Sequence, residues 1–75
     1  MREETYMAER ERLVSSIQQN HRRRDDKLAL ARKESDPGLK QMYELEAQKA
    51  QEQIDKFEAK LADLDRRYER LEQRS

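Results

Sequence analysis

The sequence predicts an all-α fold, an antiparallel two-helix coiled-coil hairpin formed by residues 1–75 as a single unit. Three observations carry this. Strong backbone punctuation occurs once, at Ser35-Asp36-Pro37-Gly38, where the chain's one proline and one glycine sit side by side. The residues after it repeat apolar side chains at alternating steps of four and three. The composition is 45% charged and 33% hydrophobic, a profile shared by long helices and disordered chains, and the periodicity decides for helices.

The first helix is expected over about residues 3–34. Its candidate seam is Met7, Arg10, Val14, Ile17, His21, Arg24, Leu28 and Ala31, with Tyr6 and Leu13 widening it. The stripe is interrupted by the run His21-Arg22-Arg23-Arg24-Asp25-Asp26, which has no apolar side chain. A continuous helix still fits. Arg24 falls opposite a small residue of the second helix, so its stem can lie along the seam while its head reaches water. Arg22 is expected to pair with Asp25 or Asp26 on its own helix.

The turn is expected at residues 35–38. Asp36 can cap the following helix, and Pro37 suits the first helical position because the missing N–H is one that would lack a partner there. Pro37 also keeps Asp36 out of the α region, which stops the preceding helix near Glu34 or Ser35. A connection this short sets the two helices side by side and antiparallel.

The second helix is expected over about residues 38–73. Tyr43, Ala47, Ala50, Ile54, Phe57, Leu61, Leu64, Tyr68 and Leu71 are all apolar or aromatic, which is an unbroken coiled-coil seam. Glu52 with Lys56, and Asp63 with Arg67, are favourable pairs one turn apart. Counting outward from the turn sets Ala31 against Tyr43, Leu28 against Ala47 and Arg24 near Ala50. Farther out, His21 meets Ile54, Ile17 meets Phe57 and Val14 meets Leu61. One seam is a small core, so a docked partner or self-association into a four-helix bundle is expected to add to it. Leu30, Leu39 and Met42 lie off the seam near the turn and form a candidate exposed apolar patch.

Several function classes are disfavoured. With 17 basic and 17 acidic residues the formal net charge is zero, and the sequence before Pro37 is nearly as balanced as that after it. A nucleic-acid binder normally shows a basic excess, and Asp25-Asp26 directly after the arginines would repel phosphate. There is no cysteine, so disulfide and thiolate chemistry are excluded. The single histidine, His21, gives no recognisable metal set, and a two-helix rod is not expected to enclose a catalytic pocket. No enzyme activity, cofactor or metal is expected. No apolar run reaches the length of a membrane span, and the start of the chain has no leader-like apolar stretch, so a cytoplasmic location is expected. What remains is protein–protein binding.

Certain segments resemble a known family. Leu13 and Ile17, the segment Arg24-Asp25-Asp26-Lys27-Leu28, the Asp36-Pro37 loop, and Lys56-Phe57-Glu58-Ala59-Lys60-Leu61-Ala62 are similar to the Rho-effector homology-region-one module. This is the antiparallel helical finger of Rho-activated kinases and F-BAR adaptors. The resemblance covers about residues 13 to 65. Glu34-Ser35 stands where the F-BAR type has Met-Gly, and Lys60 stands where it has an aromatic residue. The resemblance implies binding of a GTP-loaded Rho-family small GTPase through one helix face and the turn. Carried over by position, the candidate contacts are Arg23, Arg24, Asp36 and Pro37. Leu39 and Lys40 join them from the apolar patch beside the turn. The alternative is a self-associating structural coiled coil.

Overall fold

The computed structural model describes residues 2–73. Helix α1 spans Glu3–Lys33 and helix α2 spans Pro37–Gln73. Tyr6, near the start of α1, stacks on Tyr68, near the end of α2. Lys27, near the end of α1, pairs with Glu46, near the start of α2. The fold is therefore the expected all-α antiparallel hairpin. It is a rod of 59 × 15 × 11 Å. Its radius of gyration is 17.1 Å, against about 11 Å for a compact chain of this length.

The turn is built from three residues and two side-chain bonds. Helix α1 ends as Glu34 turns to extended backbone, its N–H reaching the Ala31 carbonyl at 3.3 Å. The Glu34 carboxylate accepts the Asp36 N–H at 3.0 Å. Asp36 caps α2: its Oδ1 accepts the Gly38 N–H at 2.9 Å, and its carbonyl accepts the Lys40 N–H. Pro37 occupies the first helical position, where it forfeits no bond. Among the described residues none has positive φ, so Gly38 is not required by a left-handed backbone.

The core is thin. Among the described residues Ala31, Ala47, Ala50, Ile54 and Leu64 are buried, and Ile54 is the one large side chain sealed completely. Alanines at three of these positions let the helices approach closely in the turn-proximal half. On α1 the half-buried residues are Tyr6, Leu13, Ser16, Asn20 and Lys27 as well as Val14, Ile17, His21, Arg24 and Leu28. The stripe of α1 is thus rotated toward one side of the seam expected for it.

Three residues expected on the seam are exposed: Met7, Arg10 and Leu71. Met7 is 55% exposed, and Tyr6 occupies the space beside α2 in its place. Leu71 is 42% exposed because, with Tyr6 opposite Tyr68, α1 is running out where Leu71 would need a neighbour.

The polar middle of α1 is accommodated by hydrogen bonding more than by extension into water. Arg24 donates from Nη1 to Gln51 Oε1 at 2.6 Å across the seam, next to Ala50. Its Nε and Nη2 both reach Asp25 Oδ1 at 3.1 Å. Gln51 in turn donates to Asp55 at 3.0 Å. Arg24, not Arg22, is therefore the partner of Asp25. The reason is position: Arg24 lies half-buried on the seam, and Asp25 is the carboxylate at its exposed edge. Among the described residues no buried side-chain polar atom lacks a partner, so the polar layer leaves no unmet hydrogen bond.

Candidate functional site

Each helix of an antiparallel pair presents two edges beside its seam. Steps of three and four residues place Ser16, Asn20, Arg23, Lys27 and Leu30 along one edge of α1. The same steps place Leu39, Met42, Glu46, Lys49 and Gln53 along one edge of α2. These two edges face the same side of the hairpin, since Lys27 Nζ lies 2.7 Å from Glu46 Oε2. Lys27 also lies 5.6 Å from the centroid of the Tyr43 ring, so its charge is held by a carboxylate and an aromatic face together.

A shallow groove of about 730 Å³ runs along this side, lined among others by Ser16, Asn20, Arg23, Lys49, Gln53 and Phe57. The rod is thus not featureless, although the sequence suggested no concavity. Asn20 folds back onto its own helix, donating to the Ser16 carbonyl at 2.8 Å. Among the described residues no cluster of three or more candidate metal ligands is present.

Toward the turn the same side becomes apolar. Leu30, Leu39 and Met42 are 43%, 40% and 45% exposed. Leu45, at 52%, extends the stripe around the back of α2. Leu45 escaped notice in the sequence because it lies outside both the seam and its immediate flank. The i, i+3 spacing of Leu39, Met42 and Leu45 was the signal that could have found it.

The six candidate contact residues fall on different surfaces. Arg23 and Leu39 share the grooved side, and both are exposed. Asp36 and Pro37 form the cap and first residue of α2 at the tip, also exposed. Lys40 is exposed in line with the seam residue Ala47, seven positions on. Arg24 is drawn into the seam by Gln51 and Asp25. Arg23 and Leu39 thus share one side of the rod at different heights, Leu39 beside the tip and Arg23 farther along the groove, and Arg24 is held in the seam.

A second polar cluster closes the open end. Tyr6 and Tyr68 stack with centroids 4.0 Å apart and planes 8° from parallel. The Tyr6 hydroxyl donates to Asp65 Oδ1 at 2.6 Å, and Arg10 Nε approaches the same oxygen at 3.5 Å. The Tyr68 hydroxyl donates to Glu72 at 3.0 Å. Both phenols are held above the usual tyrosine range, first by these bonds to carboxylates and then by desolvation.

Among the described residues no helix is long and apolar enough to cross a membrane. Comparison of the chain with family models, with curated proteins and with solved structures returns no match.

Proposed function

We propose that the hairpin is a non-catalytic protein-interaction module whose partner is a GTP-loaded Rho-family small GTPase. The observation that carries it is the exposed strip Leu30, Leu39 and Met42, lying between Arg23 and the Asp36-Pro37 tip on one side of the rod. Apolar side chains next to arginine on a rigid helical surface are the composition that favours protein interfaces. Assignment of the partner to the GTPase class rests on the resemblance in Leu13, Ile17, residues 24–28, Asp36-Pro37 and residues 56–62. Arg24 supports the contact from within the seam, by fixing the register of the helices that display Arg23 and Leu39.

The test is a titration followed by NMR, with Rho-family GTPases loaded with a non-hydrolysable GTP analogue or with GDP. Amide shifts of residues 23–42 are expected to move with the GTP-loaded form alone. Leu39→Glu should weaken binding at least tenfold while the far-ultraviolet circular dichroism stays unchanged. No shift with any loaded GTPase removes the partner assignment.

A further inference from the structure

The two edges of α2 carry opposite charge over its whole length. On the grooved side stand Lys49, Lys56, Lys60, Arg67 and Arg70, against Glu46 and Asp63. Those two carboxylates are already taken up by Lys27 and Arg67. On the other side stand Glu44, Asp55, Glu58, Asp65, Glu69 and Glu72, with no basic residue of α2 between them. The corresponding edges of α1 are close to balanced, with Arg23, Lys27 and Glu9 on the first and Glu4, Glu11, Arg22, Asp25 and Arg32 on the second. A chain with zero net charge has therefore sorted its charges into a basic flank and an acidic flank.

We propose that these flanks are complementary docking surfaces for a second copy of this chain, the basic flank of one hairpin lying along the acidic flank of the next. A twofold contact would set each flank against itself, basic on basic or acidic on acidic, and is disfavoured by like-charge repulsion. The favoured contact is heterologous, flank to opposite flank, and it repeats from copy to copy.

The exposed area points the same way. The hairpin exposes 6207 Å², whereas a compact chain of 9.1 kDa exposes about 4,900 Å². The excess is somewhat larger than the roughly 800 Å² that each partner contributes to a standard interface. Exposed apolar side chains add an orientation. Leu39 and Met42 lie on the basic flank at the turn end. Met7, turned outward by Tyr6, is exposed at the open end. Neighbours running in opposite directions bring these two ends together.

This inference does not rest on the proposed GTPase contact, but both draw on Leu39 and Met42, so the two associations compete for the turn end of the basic flank. Its test uses sedimentation equilibrium of the intact chain over a range of concentration and salt. Wild type should exceed the monomer mass of 9.1 kDa at low salt and return to it as salt screens the exposed charges. Two triple variants follow: Lys49→Glu with Lys56→Glu and Arg70→Glu, and Glu44→Lys with Glu58→Lys and Glu69→Lys. All six positions are exposed and, among the described residues, none takes part in an ion pair. Each variant alone should be monomeric at every concentration, because the first then has two acidic flanks and the second sets its basic flank against one with no net charge. A mixture of the two should associate with equal stoichiometry. Circular dichroism establishes that each is helical, and the salt series on wild type needs no variant. A wild-type monomer at all concentrations in low salt overturns the proposal. So does association that persists in high salt, or a mixture that remains monomeric.

Discussion

The turn-proximal and open halves of the hairpin are held by different means. Near the turn the helices meet through alanines, Ala31, Ala47 and Ala50, which bring little apolar area and no directional contact of their own. At the open end Tyr6 and Tyr68 stack, and their hydroxyls are tied to Asp65 and Glu72. Chain entropy explains the difference. Beside the turn, connectivity already keeps the helices within reach, so small residues carry the packing, with the Lys27–Glu46 and Arg24–Gln51 bonds along its edges. At the far end nothing covalent opposes separation, and ordering it requires contacts that also fix register. Ile54, sealed between the two regions, is the large side chain that both share.

Ile54→Ala tests that shared position and should have the largest effect. Loss of a fully buried side chain of this size costs about 2–5 kcal/mol, most of the stability that a chain of this length is expected to have. The expected outcome is loss of the cooperative thermal transition at room temperature, read by circular dichroism. A melting temperature lowered by only a few degrees would mean that the two halves are stable without their common centre.

Tyr6→Ala breaks the open end alone. It removes the ring stack and the charge-assisted bond to Asp65 together. Amide exchange should accelerate in residues 3–13 and 61–72 and stay slow in residues 24–54. Uniform acceleration would show that the clamp stabilises the whole rod. Tyr6→Phe separates the two contributions, since it keeps the stack and loses the bond.

The same clamp predicts an alkaline limit. Both phenols titrate above the ordinary value of 10.0 in the folded chain. The unfolded chain therefore loses these protons first. The stabilisation is complete below pH 10 and disappears as pH rises through the folded values. Urea midpoints measured across that range should fall in wild type. They should fall less in the double variant Tyr6→Phe with Tyr68→Phe.

The contrast between the halves also marks how far the sequence could be read. The turn, the hairpin and the seam of α2 were legible because proline chemistry and unbroken apolar spacing are local signals. The seam of α1 was not fully legible. With Arg10, His21 and Arg24 on the expected stripe, spacing alone could not tell whether Met7 or Tyr6 faces α2. The choice is made by Tyr68 and Asp65, a ring and a carboxylate some sixty residues away in the chain. The partner of Asp25 was missed for a similar reason, since Arg24 is oriented by Gln51 on the other helix. The candidate contact residues were legible as residue types but not as one surface, because their distribution over the grooved side, the seam and the tip depends on that rotation of α1.

Asp36→Ala weakens the turn-proximal half from its tip. The bond to the Gly38 N–H is lost, and a cap of this kind is worth about 1 kcal/mol. The effect should be confined to the first turn of α2. Exchange should quicken at Gly38, Leu39 and Lys40, and the Tyr6–Tyr68 ring contact should be undisturbed in nuclear Overhauser spectra. If both ends loosen together, the two halves are one cooperative unit and their different construction has no energetic meaning.

Gly38→Ala should act in the opposite direction and with the smallest size. Gly38 lies in α2 with negative φ, so the position does not need glycine's freedom. A Cβ built there has Asp36 Oδ1 as its neighbour at 3.4 Å, an ordinary contact at the limit of comfort. Alanine restricts the unfolded chain and favours the helix, which stabilises by about 0.4–1 kcal/mol where the backbone is compatible. The melting temperature should rise by a few degrees, with the gain in the turn-proximal half. A fall instead would mean that the methyl group displaces the Asp36 carboxylate from the Gly38 N–H. Combining Gly38→Ala with Asp36→Ala distinguishes the cases. If the methyl leaves the cap intact, alanine adds the same increment with or without Asp36. If it disturbs the cap, the loss seen in wild type becomes a gain once the cap is gone.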